Sequence, residues 1–113
     1  MANIYTNAKV DLTTNGETVV YTGPAATTSI IKSILVSEDA GSGANLTVTL
    51  VDSSGAIFSL FKTKAISSNT TVELLTQPLV MEESEVLKVQ ASDANELHVI
   101  ASILEIQPRE VTS

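Results

Sequence analysis

The sequence predicts an all-β fold: a single-domain antiparallel β-sandwich of about eight strands, in jelly-roll or immunoglobulin-like topology, with extended terminal arms. Three observations predict it. Clusters of Gly, Pro, Asn, Asp and Ser recur about every 8 to 14 residues, the spacing of turns between short strands. No segment between them places apolar residues at i, i+3, i+4 and i+7, the stripe an amphipathic helix needs. Pro24, Pro78 and Pro108 all fall between apolar runs, where a missing backbone N–H costs no ladder bond.

The chain of 113 residues is expected to be one domain over 1–113, with an N-terminal arm or edge strand over 1–15 and a polar C-terminal tail over 107–113. A chain of this size buries about two-thirds of the surface its unfolded form exposes, so it needs no covalent staple. Ile4, Tyr5, Val10 and Leu12 give the first segment a loose two-residue period. Asn15-Gly16 marks a turn, Glu17–Thr22 a short strand, and Gly23-Pro24 its end.

Thr27–Glu38 is the stretch the rest is organised around. Strict alternation puts Ile30, Lys32, Ile34 and Val36 on one face and Ile31, Ser33, Leu35 and Ser37 on the other. Both faces are aliphatic, as expected of a strand interior to a sheet. Beyond the Gly41-Ser42-Gly43 connection, Leu46, Val48 and Leu50 alternate with Thr47, Thr49 and Val51. Asp52–Gly55 turns the chain with Gly55 at positive φ. The returning strand, Ala56–Ile66, carries Ile57, Ser59, Phe61 and Thr63 on one face and Phe58, Leu60, Lys62 and Lys64 on the other, in fixed register. Thr70–Leu75, Val86–Ser92 and Glu96–Ile106 complete the strands, with Leu79-Val80-Met81 a short apolar patch and Glu82–Glu85 an acidic corner. The last strand repeats the two-faced pattern: Leu97, Val99, Ala101 and Ile103 against Ile100, Leu104 and Ile106.

Composition excludes several functions. Six Lys and Arg against thirteen Asp and Glu leave a net charge of −7, which repels a nucleic-acid backbone or an anionic membrane. No nucleic-acid or membrane partner is expected. The absence of cysteine removes disulfides, thiolate metal sites and thiol nucleophiles. Two Phe, two Tyr and no Trp make an aliphatic core and disfavour surfaces that stack sugars or bases. The opening residues lack the basic and apolar regions of a signal peptide, so use at full length, in solution or in an assembly, is expected.

Candidate chemistry is sparse. His98 is the only histidine; as the base of a Ser–His pair it supports a small-hydrolase reading, whereas its mid-strand position reads as a half-exposed surface residue. The acidic groups Glu38/Asp39, Glu82/Glu83/Glu85 and Asp93/Glu96 lack the Asp-x-Asp-x-Asp-Gly spacing of a calcium loop and read as solvated turns. Gly41-Ser42-Gly43 lacks the Lys-Ser/Thr and helix of a phosphate loop. No catalytic residue, metal ligand or cofactor is expected, and the protein is read as a non-enzyme.

What remains is the second aliphatic face, covered either by the chain's own loops or by a neighbouring subunit, and two ends suited to adding a strand to a neighbour. The candidate interface residues are Ile4, Tyr5, Val10, Leu12, Ile31, Leu35, Ile100, Leu104 and Ile106.

The order of segments carries a resemblance. Val20-Tyr21-Thr22-Gly23-Pro24-Ala25 leading into Thr27–Ser37 resembles the opening "YTAPAGTT-x-I-x-x-I-x-V-S" of small β-sandwich structural proteins of tailed bacteriophages. Leu79-Val80-Met81-Glu82 with Glu85–Ser92 is similar to their "LVLEAGDSLRVTAS", and Val99–Ile106 to their closing "V-x-x-S-x-LEI". The match covers about Val20 to Ile106 and departs where Glu83-Ser84 replaces the usual Ala-Gly turn. The resemblance implies a virion component without catalytic residues, an oligomeric β-sandwich at the head surface, neck or tail. Size and acidity suit an outer-surface position, so the leading expectation is a capsid decoration or cement protein that forms a homo-oligomer and contacts other virion proteins, the major capsid protein or those of the neck and tail. A neck or tail structural protein and a carbohydrate- or receptor-binding module are the alternatives.

Overall fold

The computed structural model describes residues 2–107; Met1 and the part of the expected tail beyond Gln107 lie outside the described residues. Nine strands form: β1 (Ala2–Asp11), β2 (Glu17–Thr22), β3 (Thr28–Glu38), β4 (Ala44–Val51), β5 (Ile57–Ile66), β6 (Thr70–Glu73), β7 (Leu79–Met81), β8 (Val86–Ala91) and β9 (Leu97–Gln107). The strand added to the expected eight is β7, where the short apolar patch pairs with Ser29–Ile31.

Two antiparallel sheets face each other. One has the order β1-β9-β3-β6 with β7 also on β3, and the other β2-β8-β4-β5. Consecutive strands change sheet at nearly every step, and the β4–β5 hairpin is a connection within one layer. β6 and β7 lie end to end along β3, pairing with Leu35–Glu38 and Ser29–Ile31 respectively, so together they act as one broken strand. With β6 and β7 counted as one, the orders are those of a double-sheet jelly roll. An immunoglobulin-type sandwich would keep the first two strands in one sheet; here they lie in different sheets.

β1 is an edge strand, paired with β9 from Ala2–Gln107 to Asp11–His98 without interruption. It widens the sheet and does not fold over it.

The alternation read for β3 breaks at Lys32. Ile31 pairs with Ile103 and Ser33 with Ser102, so one extra residue is accommodated on β3 and the phase changes. Ile31 therefore joins Ile34 and Val36 in the core, all fully buried, while Ile30 and Leu35 face outward. The β4–β5 register also shifts, between Leu46 and Val48 and again between Val48 and Thr49. As a result adjacent Leu60 and Phe61 both pack against the core, which strict alternation forbids. Thr63 takes a positive φ of 49° there, and its N–H donates to Thr47 Oγ1 at 3.1 Å.

The core is aliphatic, as expected: Ile31, Ile34, Leu46, Val48, Leu87, Leu97 and Val99 have no exposure. Leu12 follows β1 and plugs one end. Its N–H donates to Leu97 O at 3.0 Å, and its carbonyl accepts from Asn95 N at 2.8 Å.

Candidate functional site

The strand ends divide the molecule into two dissimilar poles. At one lie the connections 12–16, 39–43, 67–69 and 92–96, the second and third of which close on Glu38. This carboxylate is 1% exposed and accepts backbone N–H bonds from Asn69 (3.0 Å), Gly41 (3.0 Å), Gly43 (2.9 Å) and Ser42 (3.2 Å). The Asn69 N–H, followed by those of the glycine loop, lowers its pKa from 4.5 to about 2 against the opposing effect of burial. Glu38 thus belongs to no solvated acidic loop; it is the anion that closes two connections. Gly41-Ser42-Gly43, in the connection between β3 and β4, wraps it with Gly41 and Gly43 at φ 87° and 77°.

Nearby, Ser42 Oγ donates to Glu96. Burial, then Asp93 and Glu38, raise the Glu96 pKa. His98 is half-exposed, with Nε2 3.2 Å from Asp11 Oδ1 and Nδ1 3.7 Å from Asp39 Oδ1. Both ring nitrogens thus face carboxylates, one at the end of β1 and one in the β3–β4 connection. Among the described residues no group of three His, Cys, Asp or Glu could hold a metal ion.

At the opposite pole, Gly23 N donates to Glu85 O at 2.8 Å and Ser84 N to Gly23 O at 2.9 Å. Ser84 has φ 69°, so Glu83-Ser84 makes the corner with a left-handed serine where the resembled family has glycine. Tyr21 crosses between the sheets here. Its Oη lies 2.7 Å from Ser29 Oγ and donates to Glu105 Oε2 at 2.5 Å. Burial foremost, then the Glu105 carboxylate, raises its pKa to about 12.

Between the poles lies the outer face of the five-stranded sheet. Its cross-strand register sets residues in rows. One row reads Tyr5, Leu104, Ile30, Val80 across β1, β9, β3 and β7. Another reads Lys9, Ile100, Leu35, Glu73 across β1, β9, β3 and β6. Between them runs the polar row Asn7, Ser102, Ser33. Tyr5 and Val80 are 74% and 55% exposed, and Ile100 and Leu35 39% and 37%. Tyr5, Asn7, Lys32 and Ser102 help line a shallow open hollow of about 320 Å³.

Of the residues expected at an interface, Tyr5, Leu35, Ile100, Leu104 and Ile106 lie on this face. Ile4 and Val10 point to its inner side. Ile4, at the sandwich mouth, is 40% exposed, and Val10 packs against the core. Ile31 and Leu12 are core residues, for the reasons of bulge and plug given above. The sequence reading missed Ile30 and Val80: the bulge hides the first, and the brevity of β7 hides the second.

Glu73 sits at the sheet's broken edge. Opposite the gap between β6 and β7, Ile34 N has no strand partner and donates instead to Glu73 Oε2 at 2.8 Å. Leu75 N donates to the same atom at 3.1 Å, and Ser33 Oγ donates to Glu73 Oε1. Desolvation opposes ionisation, but the donors from Ser33, Ile34 and Leu75 outweigh it and lower the pKa.

No protein-family model matches the sequence, and no curated protein is similar enough to count as a relative. Among solved structures, two crystal structures of a pentameric capsid protein isolated from metagenomic phage sequences are similar in shape. One has 14% identity and TM-score 0.47, over 96% of this chain and 66% of that one. The other has 16% identity and TM-score 0.46, over 93% and 67%. A chain from the structure of infectious bursal disease virus, Gx strain, matches with 12% identity and TM-score 0.50, over 90% of this chain and 32% of that one. This chain therefore spans about two-thirds of the first two and a third of the last. What the viral chain shares is the fold.

Proposed function

We propose that the protein is a structural subunit of a virus particle, a decoration or cement protein on the head of a tailed bacteriophage that assembles as a homo-oligomer and contacts the major capsid protein. The observation that carries this reading is the outer sheet face: a jelly-roll layer whose exposed side bears Tyr5, Leu104, Ile30, Val80, Ile100 and Leu35 in register. Two rows of partly exposed apolar side chains on one sheet face are surface of the kind that marks a contact with another molecule. The jelly-roll topology and the resemblance of Val20–Ile106 to tailed-phage structural proteins support placing that contact in a virion. Its mechanism is cohesion, with apolar area removed from water contributing about 25 cal/mol per Å².

The test is co-sedimentation of the purified protein with phage heads that lack it. Saturable binding at a fixed ratio to the major capsid protein is expected. A chain that stays monomeric and sediments apart from heads overturns the reading, and binding confined to tails moves the protein to the neck or tail.

A further inference from the structure

The outer face of the five-stranded sheet matches its own image. A half-turn of a second copy about an axis in the plane of the face, parallel to the strands and midway between β9 and β3, exchanges β9 with β3 and β1 with the β6–β7 edge. Tyr5 then lies over the partner's Val80, Leu104 over the partner's Ile30, and Ile100 over the partner's Leu35. Lys9, exposed on β1, lies over the partner's Glu73, and each of these contacts occurs twice. We infer that this face binds a second copy of the chain in a two-fold, sheet-on-sheet stack. The inference rests on the assembly role proposed for the face and names its partner.

Two observations select this occupant. The first is charge. The aliphatic centre of one row ends in Lys9 on one edge and Glu73 on the other, so the face complements itself only when its edges are exchanged. A half-turn about the row direction would also match aliphatics, but would set Glu73 against Val80 and Lys9 against Tyr5. The strand-parallel axis is therefore the one that pairs both charges. The second is area. The face is four strands wide, at about 4.8 Å each, and as long as β9, 11 residues at about 3.3 Å, giving about 700 Å². A stable interface removes about 800 Å² per partner, so the face is of the size needed only if the whole of it is used. Lys32 shares the hollow with Ser102 and Asn7; in the stack its stem would cover aliphatic surface and its ammonium would meet the polar middle row of the second copy.

The chain has no cysteine, which makes the geometry directly readable. The full-length protein carrying Tyr5→Cys is mixed with protein carrying Val80→Cys under an oxidised glutathione buffer, with sedimentation velocity of the unmodified chain alongside. Both sites are more than half exposed, so both variants fold. The expected results are a mass of twice 11.9 kDa, a covalent dimer in the mixture, and little cross-linking of either variant alone. Lys9→Glu should weaken association by about tenfold or more through like charge facing Glu73. A monomer at every concentration, a trimeric or pentameric mass, or efficient self-linking of Tyr5→Cys overturns the pairing. Head binding by a chain that remains monomeric also overturns it while leaving the virion role intact. A two-fold dimer with the expected cross-link that binds neither phage heads nor tails supports the pairing and refutes that role.

Discussion

Tyr21 Oη donates a 2.5 Å hydrogen bond to Glu105 Oε2, joining β2 of the four-stranded sheet to β9 of the five-stranded sheet across the mouth of the sandwich. Tyr21→Phe keeps the ring and removes the donor. Glu105 then retains Gln107 Nε2 at 3.0 Å but loses its bond across the layers. A hydrogen bond to a charged group contributes about 1.5–3 kcal/mol; with Glu105 only half-buried, a loss of about 1–2 kcal/mol in urea unfolding is expected. The phenol adds a pH dependence. Its folded pKa of about 12 exceeds the ordinary 10.0, so the stabilisation is complete below pH 10 and declines as pH rises toward 12. Tyr21→Phe should flatten that alkaline decline; an equal slope in both proteins would show that another group causes it.

Glu38 governs the acid limb. Its folded pKa of about 2 lies below the ordinary 4.5, so its contribution is present above pH 4.5 and is lost as pH falls toward 2. The carboxyl carbon of Glu38, followed by NMR, should titrate near pH 2. Glu38→Gln should lower the denaturation midpoint at pH 7 and shrink its fall in acid, because an amide replaces an anion that accepts four N–H groups. Titration of Glu38 near pH 4.5 would mean that the loops do not close on it in solution.

Gly23 and Gly55 separate two reasons for glycine. A Cβ on Gly23 would sit 2.2 Å from Glu82 O, a backbone atom that cannot swing aside, whereas at Gly55 nothing lies within 4 Å and the constraint is φ +93°. Gly23→Ala must push apart the β2–β3 and β7–β8 connections, at about 1–3 kcal/mol as for an overpacked site. Gly55→Ala carries only the strain of a left-handed alanine, about 1 kcal/mol. Denaturant midpoints of the two variants should fall in that order, and the reverse order would place the tight contact elsewhere.

How far these features can be read from sequence depends on whether the signal is local. The Asp52–Gly55 turn was legible because Gly at positive φ is a local demand, and the β9 faces were legible because no bulge interrupts Leu97, Val99, Ala101 and Ile103. The phase change at Lys32 was not, since it depends on pairing with β9 and no glycine or proline marks it. Glu38 looked like half of an acidic loop with Asp39. Its burial comes from N–H groups delivered by Asn69, 31 residues away in sequence, and no local pattern encodes such a meeting. For the same reason the outer face was seen in outline, through Leu35, Ile100 and Leu104, while Ile30 and Val80 escaped.

The neighbours Ile30 and Ile31 give the sharpest test of that corrected face. Ile31 has no exposure and packs between the sheets, so Ile31→Ala should remove about 2–5 kcal/mol, the range for truncating a buried aliphatic. Ile30 pairs with Leu104 and Val80 on the outer side, and Ile30→Ala should cost about 1 kcal/mol or less in the isolated domain. The order reverses for association. Ile30→Ala should weaken self-association measured by sedimentation, because the part of its side chain still open to solvent is covered only when a second copy stacks on the face. Had strict alternation held, Ile30 would carry the core and Ile31 the surface, and urea melts of the two variants would exchange places.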